Sequence, residues 1–164
     1  MKIGRIFGLE NSRMAKKFFS KYMELKGRKY HGIYERKILG STMLLDLDND
    51  PILAKSLVED GLYSYTVTSS CYHEIKPDMI IIDVGANIGY VTFLAASRCG
   101  EYGSVISFEP GFDSCNLMKK SLKLNSYKNI EILNKGVAEK TKKGKLFLSP
   151  TASVDNQILE GIEN

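Results

Sequence analysis

The sequence predicts an α/β protein: the N-terminal half of a doubly wound parallel sheet, preceded by a mixed segment of helices and a short strand. Two observations support this fold class. From residue 76 onward, short apolar runs alternate with helical patterns at the spacing of strand–helix–strand units. A glycine-rich turn follows the first apolar run, and such turns lie at the carboxyl ends of parallel strands. We therefore divide the chain into a basic lead-in segment, residues 1–75, and a partial α/β domain, residues 76–164.

The lead-in segment is predicted to begin with an amphipathic helix over residues 3–25. Large apolar residues recur there at helical spacing, and the lysines fall elsewhere. The residues of this apolar face are Met14, Phe18, Tyr22 and Leu25. Residues 27–40 show no clear period, and we predict no element for them.

The second half of the lead-in segment is predicted to hold a strand and two helices. Residues 42–47 read TMLLDL, which is typical of a strand. An Asp-rich turn then ends at Pro51, and proline is favoured at the first position of a helix. We predict that helix over residues 52–59 and its end at Gly61. Another helix is predicted within residues 63–75.

The α/β domain is predicted to alternate strands and helices. Apolar, β-branched runs predict the strands, and apolar residues at helical spacing predict the helices. The predicted strands are 79–84, 103–108, 130–133 and a short strand at 145–148. The predicted helices are 88–98 and 113–124, and Asn125 is placed to cap the end of the second. We expect the first strand to be buried on both faces, because its composition is that of a central parallel strand.

The turn after the first strand is the most informative motif of the chain. Asp83 closes the strand, and the small residues Gly85, Asn87 and Gly89 lead into the next helix. Small residues let the backbone approach a ligand, and the helix N-terminus supplies N–H donors. Asn87 is of a residue type that tolerates a left-handed backbone. A carboxylate here would repel a pyrophosphate. Asp83 therefore favours a ligand that carries an amine or another cation, such as S-adenosyl-L-methionine.

Glu109 ends the second strand of the domain, one helix after the turn. In a doubly wound sheet this position lies beside the ribose of the ligand, and a carboxylate there accepts hydrogen bonds from the ribose hydroxyls. A dinucleotide-binding domain is the weaker alternative. Its fingerprint needs three glycines, whereas this turn has two, and no hydride-transfer site follows.

The segment DVGANIGY and the later strand GSVISFEP closely resemble the FkbM-type family of S-adenosylmethionine-dependent methyltransferases. The likeness covers roughly residues 42–150 and implies a Rossmann-like methyltransferase sheet with S-adenosyl-L-methionine as cofactor. It also implies O-methylation of a hydroxyl on a sugar, a lipid or a small metabolite, and it identifies no catalytic residue. The cofactor-binding residues that it implies, from the methionine end through the ribose to the adenine edge, are Asp83, Gly85, Asn87, Gly89, Glu109, Gly136 and Val137.

Composition and charge exclude several classes of protein. The chain is 43% hydrophobic and 26% charged, as globular domains are. Three cysteines without a C-x-x-C pair, and two histidines, argue against a disulfide framework and a metal site. No apolar run approaches the length of a membrane span or signal-peptide core, so we expect a cytoplasmic protein. Eleven Lys and Arg oppose three Glu before position 41. No nucleic-acid motif accompanies them, so we expect a solvated face and no nucleic-acid partner.

The predicted domain lacks a strand for the other edge of the strand at 79–84. After residue 148 only a polar tail follows, and the family resemblance implies further strands at this point. We therefore expect a C-terminally truncated methyltransferase that holds one wall of its cofactor site. The first strand would then be an edge, which favours self-association. The alternative function is a non-catalytic remnant that binds a partner through the basic segment and this strand.

Overall fold

The computed structural model describes residues 31–140 and 143–147, and the backbone of 157–159. The helix predicted over residues 3–25 lies outside these ranges. The described elements, in chain order, are β1 (Ile33–Ile38), β2 (Ser41–Asp46), α1 (Pro51–Asp60), α2 (Tyr65–Glu74), β3 (Ile80–Val84), α3 (Tyr90–Cys99), β4 (Ser104–Phe108), α4 (Phe112–Lys123), β5 (Ile130–Leu133), β6 (Lys145–Phe147) and β7 (Gln157–Leu159). Nine of them match predicted elements within two residues at each end, whereas β1 and β7 are absent from the prediction.

The strands β1 and β2 form an antiparallel hairpin in which Ile38 pairs with Ser41. The two turn residues between them, Leu39 and Gly40, have positive φ angles of 48° and 93°, as tight hairpin turns require. Burial explains why only one of the two strands is visible in the sequence. Buried and half-buried residues alternate along β2, whereas β1 is mostly exposed and therefore carries no apolar period.

The helices α1 and α2 begin and end where local sequence predicts. Pro51 stands in the first turn of α1, and the Asp50 side chain accepts a hydrogen bond from a main-chain N–H of that turn. Gly61 ends α1 in the left-handed conformation, with φ of 65°. The Ser64 side chain caps α2 in the same way as Asp50 caps α1. Both caps satisfy N–H groups that a helix leaves without an internal partner.

The strands β3, β4 and β5 form a parallel sheet in that order. The helices α3 and α4 connect neighbouring strands in one direction, and right-handed crossovers of this kind place both helices on one face of the sheet. The core lies on that face. Val105 of β4 is fully buried and packs in a cluster with Ala95, Ala96 and Cys99 of α3.

The prediction that the first strand of this sheet is buried on both faces is wrong. Ile80, Ile82 and Val84 are 74%, 63% and 59% exposed. Among the described strands, β3 pairs with β4 alone, so the edge position expected for it is confirmed. A parallel strand is buried on both faces only where a layer of helices covers each of them. The described helices α3 and α4 cover one.

The hairpin is joined to α4 by two polar side chains. Ser121 Oγ accepts a hydrogen bond from the main-chain N–H of Leu44 at 2.9 Å. Asn125 bonds both main-chain groups of Thr42, with its Oδ1 2.9 Å from the nitrogen and its Nδ2 2.7 Å from the oxygen. Asn125 Nδ2 also donates to the carbonyl of Ser121 at 2.7 Å. Asn125 therefore caps the end of α4 as predicted and also holds β2 in place.

The strands β6 and β7 form a separate antiparallel pair. The tail after residue 148 thus contains a strand that its polar sequence does not predict. In the part of the chain that the structure describes, each helix is too short or too polar to cross a membrane.

Candidate functional site

The turn between β3 and α3 has the backbone conformation that its residue types predict. Gly85, Asn87 and Gly89 have φ angles of 77°, 52° and 93°, all in the left-handed region. The main-chain N–H groups of Gly85 and Ala86 donate to the carbonyl oxygen of Phe108 at 2.9 and 3.0 Å. These two bonds fix the turn to the end of β4 and place the N-terminus of α3 at the carboxyl edge of the sheet.

The two glycines of the turn face different surroundings. A Cβ added at Gly85 would meet no atom within 4 Å, so open space lies beside the backbone there. A Cβ added at Gly89 would lie 2.8 Å from Cγ and Sδ of Met118 and 3.0 Å from the ring of Phe93. Gly85 therefore permits the approach of a ligand, whereas Gly89 permits the turn to pack closely on α4.

Glu109, which follows β4, is hydrogen-bonded to the turn after β3 and to the residue after β5. Its side chain is only 6% exposed, and its two carboxylate oxygens accept hydrogen bonds from the main-chain N–H groups of Asn87 and Gly111, each at 2.7 Å. Its carbonyl oxygen accepts a bond from the side chain of Asn134, just after β5, at 2.8 Å. Each carboxylate oxygen can accept two hydrogen bonds. Each oxygen of Glu109 therefore keeps capacity for a ligand hydroxyl.

Asp83 places a second carboxylate at the same edge of the sheet. Thr92 Oγ1 donates a hydrogen bond to Asp83 Oδ2 at 2.6 Å. Burial raises the pKa of Asp83, and hydrogen bonds from the hydroxyl and main chain of Thr92 oppose that rise. Burial disfavours the charged form of a carboxylate, so a cation beside Asp83 would relieve part of this penalty.

An open cavity of about 100 Å³ lies against the turn. Its walls come from the turn, the first residues of α3 and the lead-in segment. The lining residues are Leu53, Tyr63, Asp83, Gly85, Ala86, Asn87, Ile88, Tyr90 and Val91. Pockets that enclose a ligand of cofactor size usually measure about 300–1,000 Å³. The cavity formed by the described residues is therefore smaller than a pocket that encloses a ligand of cofactor size.

The lead-in segment contributes to this cavity, which sequence patterns do not reveal. The rings of Tyr63 and Tyr90 meet edge to face with their centroids 6.0 Å apart. The Tyr90 hydroxyl lies 2.6 Å from Thr68 Oγ1 on α2. Leu53 lines the cavity from α1. No local pattern marks Leu53 or Tyr63, because their place at the site depends on how α1 packs on the hairpin and how α2 packs against α3.

The residues predicted for the adenine edge lie apart from the cavity. Gly136 and Val137 follow β5 in a loop, Val137 is 51% exposed, and neither residue lines the cavity. The structure thus brings together Asp83, Gly85 and Asn87 at the cavity, with Glu109 bonded to the same turn. Within the described ranges, no three His, Cys, Asp or Glu side chains are grouped to hold a metal ion.

Comparisons with known proteins give fold similarity only. No family model and no curated protein matches the sequence. Among solved structures, the chain is similar to TYW2 from P. horikoshii in complex with MeSAdo, with 17% identity and a TM-score of 0.50 over 79% of this chain and 50% of that one. It is also similar to a putative transferase from Pyrococcus horikoshii, with 17% identity and a TM-score of 0.49 over 73% of this chain and 47% of that one. A SAM-dependent methyltransferase from Aquifex aeolicus matches with 24% identity and a TM-score of 0.39 over 46% of this chain and 39% of that one.

The match to TYW2 relates the parallel sheet to a known architecture. The parallel sheet β3–β4–β5 and its helices resemble part of the methyltransferase Rossmann-like fold. The chain spans about half, or less, of the length of the solved structures that it matches. The match to TYW2, at 17% identity and a TM-score of 0.50, shows a similar fold and indicates no substrate.

Proposed function

We propose that this chain binds S-adenosyl-L-methionine at the turn after β3, as part of a methyltransferase of the FkbM type. One observation carries the proposal: a largely buried carboxylate, Asp83, lines the same cavity as the open, left-handed backbone of Gly85. A cofactor with a positively charged amine and sulfonium compensates such a carboxylate, whereas a pyrophosphate would be repelled by it. The fold resemblance to SAM-dependent methyltransferases supports the same conclusion.

In this proposal residues 76–164 form the partial cofactor-binding domain. Asp83, Gly85 and Asn87 surround the methionine end of the cofactor, and Gly89 allows the turn to pack closely on α4. Each carboxylate oxygen of Glu109 accepts one main-chain hydrogen bond and can accept a second one from a ribose hydroxyl. Gly136 and Val137 supply the adenine edge from the exposed loop after β5, which requires that this loop approach the bound cofactor.

Methyl transfer from such a cofactor requires little chemistry from the protein itself. The cofactor carries the methyl group on a sulfonium leaving group, so the protein has to orient the acceptor in line with it and exclude water. We propose a hydroxyl of a sugar, a lipid or a small metabolite as acceptor, and we assign no catalytic residue.

Calorimetric titration with S-adenosylhomocysteine tests the cofactor assignment. We expect the wild-type chain to bind and Glu109→Ala to bind at least about tenfold more weakly, since charged hydrogen bonds to two hydroxyls are lost. Glu131→Ala is the matched control, because Glu131 is an exposed glutamate on β5 away from the cavity. Equal affinities for wild type and Glu109→Ala would remove the ribose role. No binding by folded wild-type protein would overturn the assignment.

A second proposal concerns the exposed edge of β3, which we infer pairs with β3 of a second copy. Antiparallel pairing about Ile82 would set Ile80 of each copy opposite Val84 of the other, so that apolar residues meet on one face. The three exposed side chains offer roughly 300 Å² of apolar surface per copy. Two copies would therefore bury less than the roughly 1,000 Å² typical of a stable interface. We therefore expect a weak dimer whose population rises with concentration.

Sedimentation velocity over a range of concentrations tests this pairing. Ile82→Lys should abolish the dimer, because it places a charge at the centre of the paired edge. Ile52→Lys is the control, since Ile52 is equally exposed, at 61%, but lies on α1. A wild-type chain that stays monomeric at about 1 mM, where a dimer with a dissociation constant of about 1 mM would contain half of the chains, would exclude the pairing.

A further inference from the structure

Behind the carboxylate of Asp83 lie two fully buried hydroxyl groups from different elements. Thr92 of α3 and Ser107 of β4 are both 0% exposed. Thr92 Oγ1 lies 2.6 Å from Asp83 Oδ2 and 2.8 Å from Ser107 Oγ. Asp83 and Ser107 are also direct partners in the pairing of β3 with β4. The three side chains therefore form a continuous hydrogen-bonded row across the edge of the sheet.

The direction of this row follows from counting hydrogens. The Thr92 hydroxyl has one hydrogen and donates it to Asp83. In the bond between the two hydroxyls Thr92 is then the acceptor, so Ser107 donates. Ser107 therefore donates to Thr92 and Thr92 donates to Asp83, so the carboxylate accepts the last hydrogen bond of the row. Chains of hydrogen bonds in a poorly solvated interior strengthen one another.

The described residues that line the cavity around Asp83 carry no permanent positive charge. The titratable groups that face it are the thiol of Cys71 on α2, which interacts with its charge, and the phenols of Tyr63 and Tyr90 at the cavity. Neither Lys nor Arg is among the described residues that line the cavity. The hydroxyl row and the N-terminus of α3 are therefore what favours the ionised form of Asp83.

We propose that Thr92, supported by Ser107, is a positioning residue that keeps Asp83 ionised and holds its carboxylate toward the cavity for a cationic ligand group. The inference rests on the proposed cofactor only for the identity of that group, the amine of the methionine end. Thr92 Oγ1 holds one oxygen of the carboxylate, and Asp83 itself lines the cavity, so the carboxylate can contact a ligand group there. Sequence patterns do not reveal Thr92, because Thr at the third position of a helix commonly serves packing alone.

The first test follows Asp83 itself in the free protein. The titration of its side-chain carboxyl carbon is measured by NMR in wild type, Thr92→Val and Thr92→Ser. Thr92→Val keeps the shape of the side chain and removes the donor, so the pKa of Asp83 should be higher than in wild type. Thr92→Ser restores the donor and should restore the wild-type titration. An Asp83 titration unchanged in Thr92→Val would overturn the proposal.

The second test follows ligand affinity against pH, with S-adenosylhomocysteine as probe. In Thr92→Val the affinity should fall about threefold to tenfold at neutral pH, the loss expected for one charged hydrogen bond. As the pH is lowered, the decline in affinity should begin at a higher pH than in wild type. Ser107→Ala should show the same trend more weakly and replaces Thr92→Val if that variant does not fold. Ser121→Ala, another fully buried serine, is the control and should leave both measurements unchanged.

The two proposals fail in different ways. If the Asp83 titration shifts in Thr92→Val but no variant, including wild type, binds the probe, the positioning role is retained and the cofactor assignment is overturned. If wild type binds the probe and Thr92→Val binds it with the same affinity and the same pH dependence, the positioning role is overturned and the cofactor assignment is retained.

Discussion

The two glycines of the turn after β3 allow the cost of a left-handed backbone to be separated from the cost of overfilling a packed core. Both have left-handed φ angles, 77° at Gly85 and 93° at Gly89. They differ in what an added methyl group would meet: nothing within 4 Å at Gly85, but Met118 at 2.8 Å and Phe93 at 3.0 Å at Gly89. Met118 and Phe93 are 0% and 1% exposed, so neither side chain can move out into solvent to make room.

The expected loss of stability follows from these two terms. Placing an alanine in a left-handed conformation costs about 1–2 kcal/mol at either position. Overfilling a packed core adds about 1–3 kcal/mol, and only Gly89→Ala incurs it. We therefore expect Gly85→Ala to lower the free energy of unfolding by about 1–2 kcal/mol and Gly89→Ala by about 2–5 kcal/mol.

Urea unfolding followed by circular dichroism measures both losses on the same scale. The methyl group at Gly85 would project into the open space beside the cavity, so Gly85→Ala should also weaken S-adenosylhomocysteine binding. Gly89→Ala should bind normally at temperatures where it stays folded. Equal destabilisation of the two variants would refute the packing argument. Unimpaired binding by Gly85→Ala would refute the assignment of its open side to the ligand.

Two further predictions concern stability. Burial raises the pKa of Asp83, so the native state binds this proton more tightly than the unfolded chain, and stability is lost as the pH rises through that raised pKa. Asp83→Asn should therefore raise the Tm. The gain in Tm should be small at about pH 4, grow as the pH rises and level off above the pKa of Asp83. A gain in Tm that does not depend on pH in thermal melts would contradict this. Asn125→Ala removes two hydrogen bonds to Thr42 of β2 and one to the carbonyl of Ser121 in α4 and should cost about 1–3 kcal/mol in urea unfolding. Asn49→Ala, which removes one exposed side-chain hydrogen bond to Asp46, should cost less than about 0.5 kcal/mol.

Local sequence rules were sufficient for most elements of the described chain. Pro51 and Gly61 mark the ends of α1 because one lacks a main-chain donor and the other tolerates a left-handed backbone. The strands β4 and β5 were predicted because their apolar, β-branched runs are bounded by turns. The strand β1 was not predicted, because an exposed hairpin strand has no buried face to impose a period of two.

The candidate site could be predicted in part for the same reason. Asp83, Gly85 and Asn87 lie within five consecutive residues, so a local motif was enough to identify them. Glu109 required a rule about neighbouring parallel strands, which holds because the carboxyl ends of β3 and β4 meet at one edge. Thr92 and Tyr63 depend on how α3 and α2 pack, and local sequence does not encode that packing.

The sequence by itself determined the order of nine of the eleven described strands and helices, the left-handed turn after β3 and the two carboxylates at the strand ends, since these follow from residue type and spacing. Only the tertiary structure decided which groups those carboxylates contact. Asp83 is joined to a hydroxyl row, and Glu109 is bonded to two main-chain N–H groups. Among the described strands, the structure also placed β3 at the edge of its sheet, with three apolar side chains exposed. Burial depends on the layers and strands beside a segment, and an apolar run by itself shows only that the segment is suited to burial.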